Sequence, residues 1–134
     1  MRGEKTRNGN TWTQARFNSF IKSALRGASG RWGPIWAAKK AARRGYGVYE
    51  CSGFLRKPHQ VTATLPPEEG KKRRINNAVV DHINPIVPTD VGFTTWDAVI
   101  ERMFVELDGL QVLCHECHKL KTDSEKQERK KNKT

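Results

Sequence analysis

Residues 78–82 read AVVDH, and residues 109–122 read GLQVLCHECHKLKT. The first stretch is an apolar run that ends in an acid and a histidine, which is typical of a strand that delivers polar groups at its end. In the second stretch, residues 110–113 favour an extended segment. A Cys-x-x-Cys knuckle then leads into a helix over about residues 117–128. The sequence therefore predicts two strands and a helix around these polar groups.

The chain has 134 residues, of which 36% are hydrophobic and 29% are charged. This length fits one small domain with arms, and the low apolar content predicts a small core that a bound metal would help to stabilise. The polar start of the sequence indicates no signal peptide, and it contains no run of eighteen apolar residues. We expect a cytoplasmic protein without a membrane partner.

The net charge of +11 is unevenly distributed. Residues 1–49 carry 11 Lys/Arg and one acid, residues 50–118 carry 7 Lys/Arg and 10 acids, and residues 119–134 carry 7 Lys/Arg and 3 acids. Two basic arms around a mildly acidic centre suit a nucleic acid-bound metal site, because the arms neutralise phosphate and the centre supplies carboxylates. The alternative is a solvated basic surface, and charge alone does not separate DNA from RNA.

The composition changes along the chain divide it into four segments. We predict a disordered arm over residues 1–10, a basic helical extension over 11–47, the main domain over 48–128 and a basic tail over 129–134. In the extension, one amphipathic helix begins near residue 11 and stops at the glycines that follow residue 26. A second helix is expected near Pro34 to Arg44.

Aromatic and basic residues alternate in this extension, which suits DNA contact because cations bind phosphate and rings pack on sugars or bases. The rings Trp12, Phe17, Phe20 and Trp36 have a simpler interpretation, which is that most of them dock the two helices on the core. The cations remain available in either case. Including a basic quartet in the central loop and two lysines after the knuckle, the candidate DNA contacts are Arg16, Lys22, Arg26, Lys39, Lys40, Arg43, Arg44, Lys71, Lys72, Arg73, Arg74, Lys119 and Lys121.

Four segments are predicted inside the main domain. Val48 to Cys51 is a strand, residues 54–77 form an irregular loop or a loose hairpin arm, and Ile75 to Ile83 is a second strand ended by prolines. A packing helix without chemistry opens near Trp96, with Thr94 and Asp97 spaced like a capping box.

The pair Asp81-His82, followed by Leu-Gln-x-Leu-Cys-x-x-Cys-His-x-x-Lys-Thr, resembles the HNH (ββα-metal) nucleases over roughly residues 49–122. The nearest likeness is to small phage-type HNH endonucleases. The resemblance implies a small α+β fold of the His-Me finger type with the basic helical extension packed alongside. It also implies a DNA endonuclease or nickase that acts on double-stranded DNA and leaves 5′-phosphate and 3′-hydroxyl ends.

The same resemblance assigns catalytic roles to three residues. His82 is the general base, a task that suits histidine because it exchanges protons near neutral pH. Asp81 and His118 hold one catalytic divalent ion, Mg²⁺ or Mn²⁺, and mixed oxygen and nitrogen ligation also tolerates Ni²⁺ or Zn²⁺.

The sequence departs from the family at one catalytic position. The family's middle residue is an Asn nine positions before the helix ligand, and here that position is Gly109. Glycine has no side chain to fix the loop that carries the base. Asp108 or Asn84 replaces the Asn, or the base is loosely held.

The knuckle cysteines Cys114 and Cys117 have the spacing of a structural zinc site. The family often pairs them with an upstream Cys-x-x-Cys, of which only Cys51 is present here. His59 is the best local candidate for the fourth ligand, and His115 is less suitable. An incomplete or vacant site is the alternative.

The leading hypothesis is therefore a phage-encoded, monomeric endonuclease that serves homing or assists DNA packaging or recombination, with phage packaging proteins as conceivable partners. The alternative hypothesis, from a different functional class, is a DNA-binding module that is stabilised by zinc and has lost catalytic activity. Gly109 favours this alternative. An RNA-binding or RNA-cleaving protein is a weaker third hypothesis, which rests on charge alone.

Overall fold

The structure is a computed structural model that describes residues 3–133. The chain divides into a first unit that ends at Trp32 and a second unit that begins at Gly33. The second predicted helix, which the sequence analysis grouped with the basic extension, belongs to the second unit. Of the predicted arm and tail, residues 1, 2 and 134 lie outside the described residues.

The first unit consists of a short hairpin and one helix. Strands β1 (Lys5–Arg7) and β2 (Trp12–Thr13) pair antiparallel, and helix α1 (Gln14–Ser29) follows directly. The prediction of a disordered arm was wrong for β1. The reason is the turn Asn8–Asn10, where all three residues have a positive φ between 53 and 64°, because Asn and Gly adopt this conformation readily and close hairpins.

The second unit opens with helix α2 (Gly33–Ala42), close to the predicted range. A three-stranded antiparallel sheet follows, formed by β3 (Arg43–Gly45), β4 (Val48–Cys51) and β5 (His59–Thr62) in that order. The register of β4 and β5 places Cys51 directly opposite His59. The predicted strand at Val48 to Cys51 is thus confirmed.

The segment predicted as an irregular loop contains β5 and also β6 (Thr64–Leu65), which pairs with β7 (Ile75–Asn76). The prediction of one continuous strand from Ile75 to Ile83 was wrong, because the segment is divided into β7 and β8 (Val79–His82). The break lies at Asn77, which is only 6% exposed. Its N–H donates to the carbonyl of Ala63, and its side-chain oxygen accepts from the backbone N–H of His115.

The last part of the second unit forms two strands and a helix. Strand β8 pairs antiparallel with β9 (Leu110–Leu113), as the sequence predicted for residues 110–113. Helix α3 (Trp96–Met103) lies between them in the chain, and its N-cap is Thr95 rather than the predicted Thr94. Helix α4 (His115–Asn132) follows β9 and is longer than predicted, because it begins at the knuckle with Cys114 as its N-cap.

The core of the described chain is small. Met103, Leu113, Cys51 and Cys117 are its largest fully buried side chains. Three cysteines and Leu113 form one buried cluster against which Phe54 and Val61 pack. The described chain is therefore a small α+β protein with four helices and several small sheets, whose buried cluster consists mostly of thiol groups.

None of the helices in the described range 3–133 combines the length and apolarity needed to cross a membrane.

Candidate metal centres

Four side chains from three elements meet at one buried point. Cys51 comes from β4 and His59 from β5, while Cys114 and Cys117 lie at the start of α4. Their ligand atoms all lie within 4.8 Å of one another, so this cluster can hold a metal ion such as zinc. The set is the one that the sequence predicted, including His59 as the fourth member. His115 is exposed and lies outside the cluster.

Backbone N–H groups surround the sulfur atoms of this cluster. Cys51 Sγ accepts from the N–H of Cys114 at 3.2 Å and from that of Gly53 at 3.3 Å, and Cys114 Sγ accepts from the N–H of Cys117 at 3.4 Å. These donors stabilise thiolates, which are the metal-binding form of cysteine. Gly53 is required here, because its φ is +82° and a Cβ atom would lie 2.3 Å from the carbonyl oxygen of Arg56.

The orientation of the His59 ring suits a metal ligand. Its Nδ1 atom lies 3.0 Å from the carbonyl oxygen of Lys57. A carbonyl oxygen only accepts, so Nδ1 carries the proton and Nε2 keeps its lone pair. Nε2 lies 3.7 Å from Cys114 Sγ, close to the roughly 3.5 Å expected for N and S ligands around a tetrahedral zinc ion.

Arg56 contacts the cluster from outside, and the sequence analysis did not identify it. Its Nε donates to Cys117 Sγ at 3.1 Å, and its Nη2 reaches Cys114 Sγ at 3.6 Å and a Glu116 carboxylate oxygen at 3.4 Å. The hydrogen bond to Cys117 raises the pKa of Arg56 above its usual value. Three thiolates and a neutral imidazole around Zn²⁺ leave one net negative charge, which this guanidinium balances.

The pKa values of two cluster thiols move in opposite directions. Burial raises the pKa of the Cys51 thiol to about 11. Burial also acts to raise the pKa of Cys114, but hydrogen bonds from Cys117, Cys51 and Arg56 outweigh it and the pKa falls below its usual value. The surroundings of the cluster therefore favour the thiolate form of Cys114, and a bound cation would favour the thiolate form of the other two cysteines.

A second group of polar side chains lies at the end of the β8–β9 pair. Asp81 is on β8, and its Oδ1 lies 3.7 Å from Nε2 of His118 on α4. Two donors about 2.1 Å from one ion, at angles of about 90 to 120°, lie roughly 3.0–3.6 Å apart. The oxygen and nitrogen donors are therefore near the separation that a shared divalent ion requires.

The other carboxylate oxygen of Asp81 is held by two neighbours. Oδ2 accepts from Gln111 Nε2 at 3.0 Å and pairs with Lys121 Nζ at 3.1 Å. Lys121 also donates to Glu125 at 2.9 Å and to the carbonyl of His82 at 3.0 Å. Burial acts to lower the pKa of Lys121, but these hydrogen bonds and charges raise it above its usual value.

This position of Lys121 differs from the sequence expectation that it contacts DNA. Its residue exposure is 8%, and its ammonium group is enclosed by two carboxylates and a carbonyl. The reason is the i, i+4 spacing of Lys121 and Glu125 on α4, together with the approach of β8, whose Asp81 lies forty positions earlier.

The ring of His82 is fixed by the backbone of α3. Nε2 lies 2.7 Å from the carbonyl oxygen of Met103, a residue that is 1% exposed. Nε2 is therefore the donor, and Nδ1 of the neutral ring is left as an acceptor. The sequence analysis predicted that α3 has no catalytic role. Its last carbonyl nevertheless determines the tautomer of the candidate base.

The backbone of Gly109 contributes to the position of the candidate base. Its carbonyl accepts from the N–H of Ile83 at 3.0 Å, which ties the turn before β9 to the residue after His82. A Cβ atom at this position would lie 2.9 Å from Cγ2 of Val105. An Asn here would need Val105 to move, so the close approach of Val105 is the physical reason for glycine. Asp108 and Asn84, the suggested replacements, are both exposed.

Most of the other candidate DNA contacts are exposed. Lys39 is half-buried beside Tyr49, Arg44 pairs with Glu50 at 2.7 Å, and Arg74 donates to Thr64 at 2.9 Å. The exposed cations are Arg16, Lys22, Arg26, Lys40, Arg43, Arg44, Lys71, Lys72, Arg73, Arg74 and Lys119. Among the rings, Trp36 is 69% exposed, so docking on the core does not explain it.

Comparisons of this chain with protein-family models, with curated proteins and with solved structures find no match.

Proposed function

We propose that this chain is a divalent metal-dependent DNA endonuclease or nickase of the HNH (ββα-metal) type. The observation that carries the proposal is the 3.7 Å approach of Asp81 Oδ1 and His118 Nε2. His82 is the next residue after Asp81, and the hydrogen bond from its Nε2 to Met103 leaves Nδ1 as the nitrogen with a lone pair in the neutral ring. A carboxylate, an imidazole and a candidate base are thus combined at the end of one strand pair, beside the start of α4.

The donor set fits a hard or borderline divalent ion, such as Mg²⁺ or Mn²⁺, and also Ni²⁺ or Zn²⁺. A bound ion would supply positive charge to the phosphate oxygens and to the departing 3′ oxygen. Gln111 and Lys121 fix the Asp81 carboxylate through Oδ2, so that Oδ1 is directed to His118.

His82 is the general base in this proposal. The Met103 carbonyl holds the proton on Nε2, so the lone pair on Nδ1 accepts a proton from the attacking water. Proton transfer of this kind contributes roughly 10²- to 10⁴-fold to a rate. The carbonyl also stabilises the imidazolium that forms, because its oxygen faces the charged ring.

We assign the Cys51, His59, Cys114 and Cys117 cluster to a structural zinc ion. All four positions are occupied by protein ligands, which leaves no place for substrate. The cations on α1, α2 and the central loop would bind double-stranded DNA through its phosphates. A monomer in the host cytoplasm, working in homing or in phage DNA packaging, is the setting that we propose for this activity.

A second candidate function is a zinc-stapled DNA-binding module without turnover. The ion pair between Lys121 and Asp81 at 3.1 Å favours it, because it neutralises the carboxylate without a metal. The two functions differ in one measurable property, which is metal-dependent strand cleavage.

The test is nicking of supercoiled plasmid by purified protein with EDTA, Mg²⁺, Mn²⁺, Ni²⁺ or Zn²⁺ in parallel, with His82→Ala as the matched variant. Nicking that needs a divalent ion and is lost in His82→Ala supports the nuclease. If no metal supports cleavage while DNA binding is salt-sensitive, the binding module is the better description.

A further inference from the structure

The second unit carries a groove of about 540 Å³ beside α2, lined by aromatic rings and cations. None of the residues that line it in the described chain is acidic. Its rings and cations are Trp36, Tyr46, Tyr49, Lys39, Lys40 and Arg43.

Two of these rings are unusually exposed. Trp36 is 69% exposed on α2, and Tyr46 is 96% exposed in the turn between β3 and β4. Single exposed apolar residues need no explanation, but large rings gathered around one concave surface mark a binding site. Trp and Tyr can also bind a ligand by stacking the flat faces of their rings on it.

The cations of the groove are arranged next to its rings. Lys40 Nζ lies 5.1 Å from the centroid of the Trp36 ring, and Lys39 Nζ lies 5.7 Å from that of Tyr49. Both distances are within the roughly 6 Å of cation–π attraction. A ligand in this groove therefore meets a flat apolar face and a positive charge together, which a base and its phosphate would match.

We propose that this groove binds an unpaired nucleotide of DNA, with its base stacked on Trp36 or Tyr46 and its phosphate beside Lys39, Lys40 and Arg43. In a duplex the faces of each base are covered by its neighbours, so rings of this kind select bases that are unstacked. The inference rests on the proposed function for the identity of DNA, and adds that the substrate has a single-stranded or distorted segment.

The position of α2 connects this groove to the candidate catalytic centre. Helix α2 contacts both β8 and β9, and β8 carries Asp81 and His82. An unpaired nucleotide bound in this groove would therefore lie on a helix that also contacts the two strands next to the candidate centre.

The test measures binding, not cleavage. Every protein carries His82→Ala, so that no DNA is cut, and fluorescence anisotropy compares oligothymidylate with a blunt duplex of the same length. We expect Trp36→Ala and Tyr46→Ala each to weaken oligothymidylate binding by roughly 5- to 150-fold, with a much smaller effect on the duplex. Trp36→Phe should restore most of the affinity, because it restores a flat ring.

Leu55→Ala is the matched control, since Leu55 is 88% exposed and does not line the groove; it should bind like the parent protein. Unchanged oligothymidylate affinity in both ring variants overturns the inference, and tighter binding of oligouridylate than of oligothymidylate overturns the assignment to DNA. Ring-dependent single-strand binding, combined with the absence of nicking by the wild-type protein in the plasmid assay, supports the groove and rejects the nuclease. Nicking by the wild-type protein together with ring-independent binding supports the nuclease and rejects the groove.

Discussion

The carbonyl oxygen of Met103, the last residue of α3, accepts a hydrogen bond of 2.7 Å from Nε2 of His82. A backbone atom at the buried end of α3 thereby determines which ring nitrogen of the candidate base is free. Gly109, at the position where the resemblance to HNH nucleases predicts an Asn, has no side chain to fix this loop. The proposed catalytic geometry therefore depends on the position of the Met103 carbonyl at the end of α3.

Replacement of His82 by alanine should reduce plasmid nicking by about 100-fold or more, because the proton acceptor is lost. DNA affinity measured by anisotropy should remain within about twofold, since His82 supplies no positive charge to the phosphates in this proposal. His115→Ala is the control, because that histidine is exposed and lies outside both centres. Equal activity of the His82 variant and the control would reject the base assignment.

Replacement of His118 by alanine should raise the concentration of Mn²⁺ or Mg²⁺ needed for half-maximal nicking by roughly tenfold or more, because one of two protein donors is lost. The thermal midpoint should change little, since the side chain is 40% exposed. A titration of rate against metal concentration measures the effect. An unchanged metal requirement would show that His118 does not hold the ion.

Replacement of Cys117 by serine should lower the thermal midpoint by about 10 °C or more and reduce the bound zinc, because a buried ligand of the cluster is removed. Calorimetry and metal analysis measure the two quantities. A wild-type sample treated with a strong chelator should show the same loss of stability. If the variant keeps both its midpoint and its zinc, the cluster is not a structural metal site.

Replacement of Arg56 by alanine should weaken zinc retention by roughly 10- to 100-fold, because its contacts with Cys117 and Cys114 are lost. Competition with a chromophoric chelator measures it. Lys57→Ala removes a neighbouring exposed charge and should have no effect. Arg56→Lys should fall between the two, since an ammonium group keeps the charge but lacks the planar fork of donors. Identical retention in all variants would contradict a role for Arg56 in the cluster.

The ligand cluster could be predicted from sequence because its parts are local. Cys114 and Cys117 are spaced as a knuckle, and Cys51 and His59 lie within one hairpin. That hairpin's register then places the two residues opposite each other. The predicted set is therefore the one that the structure brings together.

Arg56 and Lys121 could not be placed in this way. Arg56 meets Cys117 across 61 positions, and the side-chain Nζ of Lys121 donates to the carbonyl of His82 across 39 positions. Each was one of many cations in a basic chain, and only the tertiary fold distinguishes them. The hairpin at β1 was missed for a different reason, since Asn8-Gly9 is a turn signal that the polar composition of the segment obscured.

The first turn of α4 carries two consecutive residues that face different centres: Cys117 lies in the buried thiol cluster, and His118 lies beside Asp81. Side chains of consecutive helical residues diverge by roughly 100°, so one turn of backbone serves both centres. The two centres are therefore linked through the backbone: a shift of this turn caused by a larger ion in the thiol cluster would also move the His118 imidazole.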